Sequence, residues 1–481
     1  MKILKKYKVP FFFVALIAIY IVISLPLCVN YCLTAERIYF KLTRIENLAN
    51  ELRSGVFTIA TAVDWESELV CSGIEGNIFW LIPACLRLLG MQIETAYRTF
   101  LMCICLTAVI AAFVSFKGIF KDKCMALLGT MLYVQTPYFI DMLYGRDAIG
   151  LALGYAFFPL IFLCIKKHFD GVDKQAWILD AIALTFLIQS SMSMFLLGVF
   201  LIVFMVIFCH KEILTKAFRL QALGACAAFL ILNLWYLLPM LKYLYHNRDV
   251  IYYVGGNAYQ SKGLLLIHYL NLFFKAGTNY DFSEGTFENA ASIGIGGTLL
   301  FAFFFYLGLW FSKQFSLKSN ATKPFKGLFI LSLIGFALSL QYFPWDMLRK
   351  SKIFKALTFS SDSPAIFMVL SISGLVFLML SVVEFYWKNK SVKKNLILIS
   401  FTVILDFILT QYLTNTLLLT RNPLWIYESE DLPETVLNGA EEFTFSLAGS
   451  GPETGLICVS NVLLLGLVLY RLVSHKKCVK E

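Results

Sequence analysis

The chain has 481 residues, of which 59% are hydrophobic, 16% aromatic and only 15% charged. Soluble domains carry roughly 25% charged residues, so an ordinary soluble fold is excluded. Many apolar windows approach the ~20 residues that cross a bilayer, and the alternating ~10-residue segments of a β-barrel are absent. The composition therefore predicts an all-α polytopic membrane protein. The net charge of +10 does not point to nucleic acid, because the basic residues gather in short clusters between apolar runs, as topology signals do.

Lys2, Lys5, Lys6 and Lys8 precede the first apolar run and predict a cytoplasmic N-terminus. That run, 9–29, is long, and "SLPLC" lacks the small residues of a lipoprotein cleavage site, so it reads as an uncleaved first helix. Spanning helices are predicted near 9–29, 98–116, 124–141, 147–165, 175–190, 193–209, 219–240, 296–312, 327–343, 365–387, 395–413 and 454–470, about twelve in all. The inner connections are then Lys/Arg-rich: "KGIFKDK", "KKHFDGVDK", "HKEILTKAFR", "KQFSLKSNATKPFK" and "KNKSVKK", with the tail "RLVSHKK". The C-terminus is predicted to be cytoplasmic too.

This assignment requires that 75–90, "EGNIFWLIPACLRLLG", does not cross. With Pro83 and Arg87, and too few residues to span, it reads as an interfacial or re-entrant helix. The first outer loop, 30–97, is therefore long. Ile38, Leu42, Ile45, Ala49 and Leu52 recur in it at helical spacing, with Arg37, Lys41, Arg44, Glu46, Glu51 and Arg53 on other faces. That pattern suits a helix on the outer membrane surface, or else a packing helix between spans. The segment 241–295 is also predicted outer, and so is the acidic segment 414–453. The organisation is thus a membrane domain over 1–413, an outer segment over 414–453, and a last helix with a basic tail over 454–481. The twelve cysteines show no CxxC and no Cys/His metal spacing; Cys28, Cys32 and Cys71 lie close enough in sequence to the outer loop for a disulfide to Cys71 to be considered.

The stretches "LTRIENLANELRSG", "LIPACLRLLGMQIETAYRTFL", "ALLGTMLYVQTPYFIDMLYGRDAIGLALGYAFFPLIFL", "LNLWYLLPML", "LNLFFKAGTNYDF" and "PWDMLRKSKIFKALTF" occur in this order. In them the chain resembles the bacterial membrane proteins described by a 6-pyruvoyl-tetrahydropterin synthase-related domain, and YfhO-type proteins. A long first outer loop after the first span also resembles GT-C glycosyltransferases, which use polyprenyl-phosphate-linked sugars. The resemblance covers most of 1–415 and implies a GT-C-like fold in a bacterial cytoplasmic membrane, with membrane lipids and a polyprenyl-phosphate sugar as partners. The chain departs from the family pattern at several points. Glu36 and Arg37 stand where the pattern has His-Asp, Gly150-Leu151 where it has Gly-Glu, Lys242 and Tyr243 near its mid-chain acid, and Pro364-Ala365-Ile366 for Pro-Trp-Arg.

Such transfer needs a carboxylate base for the acceptor hydroxyl and positive charge at the leaving phosphate. Glu36 is the candidate base, or a helix N-terminal acid. Asp147 is a candidate replacement for the family glutamate. Asp64 and Glu66, two residues apart, would point to one side of an extended stretch and are candidate ligands for a divalent cation, Mg or Mn; acidic loop surface is the alternative. Arg37, Arg44, Arg146, Arg349 and Lys350 are candidate lipid-phosphate ligands. Asp180 falls near the inner end of a span, and Asp406 is more central, where a transporter would use it. No P-loop, dinucleotide fingerprint or nucleophile elbow is present. Three functions follow: a GT-C-type transferase, a catalytically inactive member that binds lipid-linked glycan or scaffolds an envelope complex, or a transporter or flippase.

Overall fold

The computed structural model describes residues 8–28, 31–33, 38–55, 58–63, 75–145, 148–171, 175–209, 215–246, 259–270, 294–311, 323–351, 354, 358, 363–388, 403–412, 425–427, 444–448 and 459–470. It is mostly helical. The elements are α1 (Lys8–Ser24), β1 (Tyr31–Leu33), α2 (Ile38–Arg53), β2 (Thr58–Val63), β3 (Glu75–Gly76), α3 (Leu81–Leu88), α4 (Ile93–Phe120), α5 (Lys123–Val134), α6 (Pro137–Ile140), α7 (Ile149–Phe157), α8 (Pro159–Asp170), α9 (Ala176–Ser190), α10 (Met192–Phe208) and α11 (Lys216–His246). They continue with α12 (Leu266–Leu270), α13 (Gly297–Phe311), α14 (Lys323–Ser339), α15 (Trp345–Leu348), α16 (Met368–Lys388), α17 (Val403–Tyr412), β4 (Trp425–Tyr427), β5 (Thr444–Ala448) and α18 (Val459–Tyr470). Each predicted spanning segment overlaps at least one of these helices, with 147–165 taking in both α7 and α8. Among the described residues, four stretches are long and apolar enough to cross a membrane: Ile93–Phe120, Ile149–Asp170, Ala217–Leu238 and Pro364–Ser381. The segment around "LIPACLRLLG" forms only the eight-residue α3, too short to cross.

Local chemistry sets the boundaries. Asp122 caps α5, its carboxylate accepting from the backbone N–H of Cys124 and Met125 at 2.7 and 3.0 Å. Pro159 opens α8, where a missing N–H costs nothing, and Gly171 closes it in the left-handed region at φ +67°. Pro137 ends the continuation of α5, and the chain passes through α6 into a π turn, Asp141–Gly145.

The core runs through α4, α5, α7, α8 and α16. Helix α16 is buried along nearly its whole described length. It lies against α14 at unusually close range: a Cβ on Gly335 would fall 2.8 Å from Phe367 O and Ser371 N, and one on Gly374 would clash with Ser332 Oγ. Membrane helices use small residues in this way, because lipid supplies no hydrophobic drive between them and backbone contact must. Tyr133 and Tyr155 stack with ring centroids 4.2 Å apart, and each hydroxyl donates to the other's backbone carbonyl. The outward faces of α1, α10, α11 and α18 expose Phe13, Ile207, Leu223 and Val462, an apolar periphery of the kind lipid covers.

The strands were not anticipated. β1 pairs antiparallel with β4, Cys32 opposite Ile426. β2 lies between β3 and β5. Segments from 30–97 and from 414–453 thus pair in two small sheets.

The surface-helix expectation for "TAERIYFKLTRIENLANELRSG" is corrected in part. The apolar stripe is real: Ile38, Leu42, Ile45 and Ala49 are buried. However, Lys41, Arg44 and Glu46 are buried as well, because α3 and α4 pack over the charged side. Only the last turn, with Asn50 and Arg53, stays exposed. Helix α2 is therefore a packing helix.

Candidate functional site

The best-defined polar cluster lies where α2, the turn before α3, and α4 meet. Arg44 is 3% exposed, and its Nε and Nη2 donate to Asn77 Oδ1 at 3.0 and 2.6 Å. Its guanidinium sits 4.5 Å from the centroid of the Trp80 ring. Trp80 in turn packs against Phe100 of α4. A buried guanidinium needs acceptors and an electron-rich face to offset lost hydration, and Asn77 and Trp80 provide both. Two residues on, Glu46 accepts from Arg87 Nε at 2.6 Å, and Arg87 also donates to Met91 O at 3.1 Å. Glu94 and Arg98, in the first two turns of α4, are also buried, with Arg98 donating to Thr95 Oγ1 at 3.1 Å. The cluster holds alternating charges in a site shielded from water, where electrostatic interactions are stronger than in solution.

Beside it, Gly76 of β3 abuts Gln189 at the end of α9; a Cβ there would fall 2.5 Å from Gln189 Oε1. Gln189 Nε2 donates to Asn233 Oδ1, and Asn233 donates to Thr185 Oγ1, so a buried amide chain links the loop to α9 and α11.

Of the residues singled out in the sequence, Arg44 belongs to this cluster. Glu36, Arg37, Asp64, Glu66, Arg146 and Asp147 lie outside the described residues. Arg349 and Lys350 are separate from the cluster and from each other in environment. Lys350 is exposed. Arg349 is 7% exposed, with its guanidinium 4.5 Å from the Tyr259 ring centroid, so it is packed against its neighbours rather than displayed. Burial pulls its pKa below the ordinary arginine value, and Tyr259 and Asp346 act the other way. Cys28 is a free thiol; Cys71 lies outside the described residues. Among the described residues, no group of three or more His, Cys, Asp or Glu is placed to hold a metal.

The two carboxylates predicted to lie within spans have defined partners. Asp180 Oδ2 lies 2.5 Å from His168 Nε2, and both side chains are largely buried. Asp406 meets Gln135, one residue past the end of α5, and Thr298 in the first turn of α13.

Asn77, Trp80, Glu94 and Gln189 were not singled out in the sequence. The pair Asn77 and Trp80, just ahead of an amphipathic turn, was the available signal for a buried arginine's partners. The chain matches no family model and no curated protein.

Proposed function

We propose that this is a GT-C-like membrane protein with twelve spans and both termini in the cytoplasm, which engages a polyprenyl-phosphate-linked sugar at the outer face of a bacterial cytoplasmic membrane for cell-surface glycan assembly. The family resemblance in "LTRIENLANELRSG" and the stretches after it motivates this reading. The observation that carries it is the buried charged cluster around Arg44, which roots the long first outer loop in the helix bundle and would hold a loop-borne site rigidly.

The sidedness rests on which connections touch. β1 pairs with β4 and β2 with β5. Leu264 bridges Leu340, Ser363 Oγ donates to Lys262 O, and Tyr138 N donates to Gly294 O. All of these join connections, or the adjoining ends of spans, that the charge pattern places outside. Lys123 Nζ lies 5.4 Å from the Phe12 ring, and Gln175 donates to Tyr470 Oη at 2.8 Å. These join a connection, or the ends of spans, that the pattern places inside.

In this reading Glu36, or Asp147, takes the acceptor hydroxyl proton. The hydroxyl oxygen bonds to the sugar's anomeric carbon as the bond to the phosphate oxygen breaks, and the phosphate leaves with the electron pair. Arg37, Arg146 and Lys350 are the proposed partners of that phosphate. A divalent cation, Mg or Mn, would be held by Asp64 and Glu66 and would offset phosphate charge. The inactive-member reading is favoured by the missing family acids, with Gly150-Leu151 and Lys242-Tyr243 where the family pattern carries them.

Native mass spectrometry of protein extracted from its host membrane tests the proposal. A retained polyprenyl-phosphate mass, lost in a Glu36→Ala/Arg146→Ala double variant, is the expected result. Bulk phospholipid alone in both samples would sink the donor-site reading.

A further inference from the structure

Helix α3 turns its one charged side chain toward α2 and its apolar side chains outward. Ile82, Cys85, Leu88 and Leu89 are exposed, and at 3.6 residues per turn they fall within about a third of its circumference. Pro83 and Ala84 are buried on the opposite side. Arg87 is turned the same way as these two, its Nε donating to Glu46 at 2.6 Å and its Nη1 to Met91 O at 3.1 Å. Leu89 is 84% exposed, more than any other large apolar side chain among the described residues. A surface helix in water shows the reverse arrangement, with its apolar side inward and its charges outward.

The neighbouring helix shows what covers this face. Met91 Sδ lies 3.9 Å from Thr99 Oγ1, in the second turn of α4. Thr99, Leu106, Ile110 and Val114 recur at helical spacing on one face of α4. The last three are exposed, and Ile93–Phe120 is long and apolar enough to cross a membrane. The face that α4 presents to lipid thus continues, through Thr99 and Met91, to the end of α3. Gly90, at φ +90°, makes the tight turn between the two helices. With Arg87 paired to Glu46, the outward side of α3 carries no charge that would hold it away from hydrocarbon.

We propose that α3 is seated in the lipid at the level where α4 enters the membrane, with Ile82, Cys85, Leu88 and Leu89 against phospholipid acyl chains. The sequence allowed this segment an interfacial position; the structure adds which side meets lipid and how its arginine is kept from it. Through the Glu46–Arg87 pair, the same seat fixes the height of α2 and its buried Arg44 relative to the bilayer. The inference does not depend on the lipid-linked sugar reading and would stand if that reading failed.

The test uses the full-length protein in nanodiscs of phosphatidylcholine and phosphatidylglycerol, where both membrane faces are open to water. A negatively charged maleimide is applied, and peptide mass mapping reads each cysteine. Ser54→Cys, at an exposed position after α2, is the water-facing reference. Leu89→Cys and the native Cys85 are expected to react at least about tenfold more slowly, because hydrocarbon excludes a charged reagent. A phospholipid with a diazirine in its acyl chain is expected to mark Ile82 and Leu89 of the wild-type protein as it marks Leu106 and Ile110. Folding of Leu89→Cys is checked by its elution profile, and Cys85 and the lipid label are read without that variant. Leu89→Cys and Cys85 reacting as fast as Ser54→Cys, or a lipid label on α4 with none on α3, would overturn the proposal.

Discussion

Replacing Arg44 by leucine is expected to destabilise the protein by about 3–4 kcal/mol. Two hydrogen bonds from a charged donor to Asn77 are lost, each worth ~1.5–3 kcal/mol. The contact with Trp80 is lost as well, worth ~0.5–2 kcal/mol. These terms share one side chain and do not add fully. Asn77, itself fully buried, also loses its guanidinium partner. Arg44→Lys keeps the charge but cannot reproduce the forked geometry, and is expected to recover less than half of the loss. Thermal unfolding in detergent measures both. An Arg44→Leu protein with an unchanged midpoint would mean that the cluster does not anchor the loop.

The second large effect is expected at the α14–α16 interface. Gly335→Ala places a methyl group 2.8 Å from backbone atoms of Phe367 and Ser371, which cannot rotate away. Overpacking typically costs ~1–3 kcal/mol, and backbone against backbone belongs at the upper end. Gly374→Ala meets mainly Ser332 Oγ, a side chain able to change rotamer. The predicted order of thermostability is therefore wild type, then Gly374→Ala, then Gly335→Ala, read from unfolding midpoints and from the yield of monodisperse protein. Gly374→Ala/Ser332→Ala is expected to recover part of the Gly374→Ala loss. The reverse order of the single variants would refute the close approach.

The sequence made the helices legible because hydropathy acts over twenty-residue windows, and long apolar runs average out local noise. The buried stripe of α2 was legible for the same reason, since Ile38, Leu42, Ile45 and Ala49 recur at helical spacing. What covers the charged side of that helix was not. Asn77, Trp80 and Arg87 lie 33 or more positions beyond Arg44, and periodicity shows which face is apolar, not which neighbour arrives on the other. The strands were illegible because runs such as Tyr31–Leu33 and Trp425–Tyr427 are only three residues long, and their pairing joins distant parts of the chain.

The proposed site requires the first loop to lie outside the membrane, with the α8–α9 connection inside. Ser54 follows α2 and is exposed, and so is Asp170 at the end of α8. A membrane-impermeant maleimide applied to intact cells should label Ser54→Cys and leave Asp170→Cys untouched, with the reverse in inverted vesicles. Labelling of both positions from the same side would contradict the arrangement of spans and, with it, an outer-facing site built on Arg44.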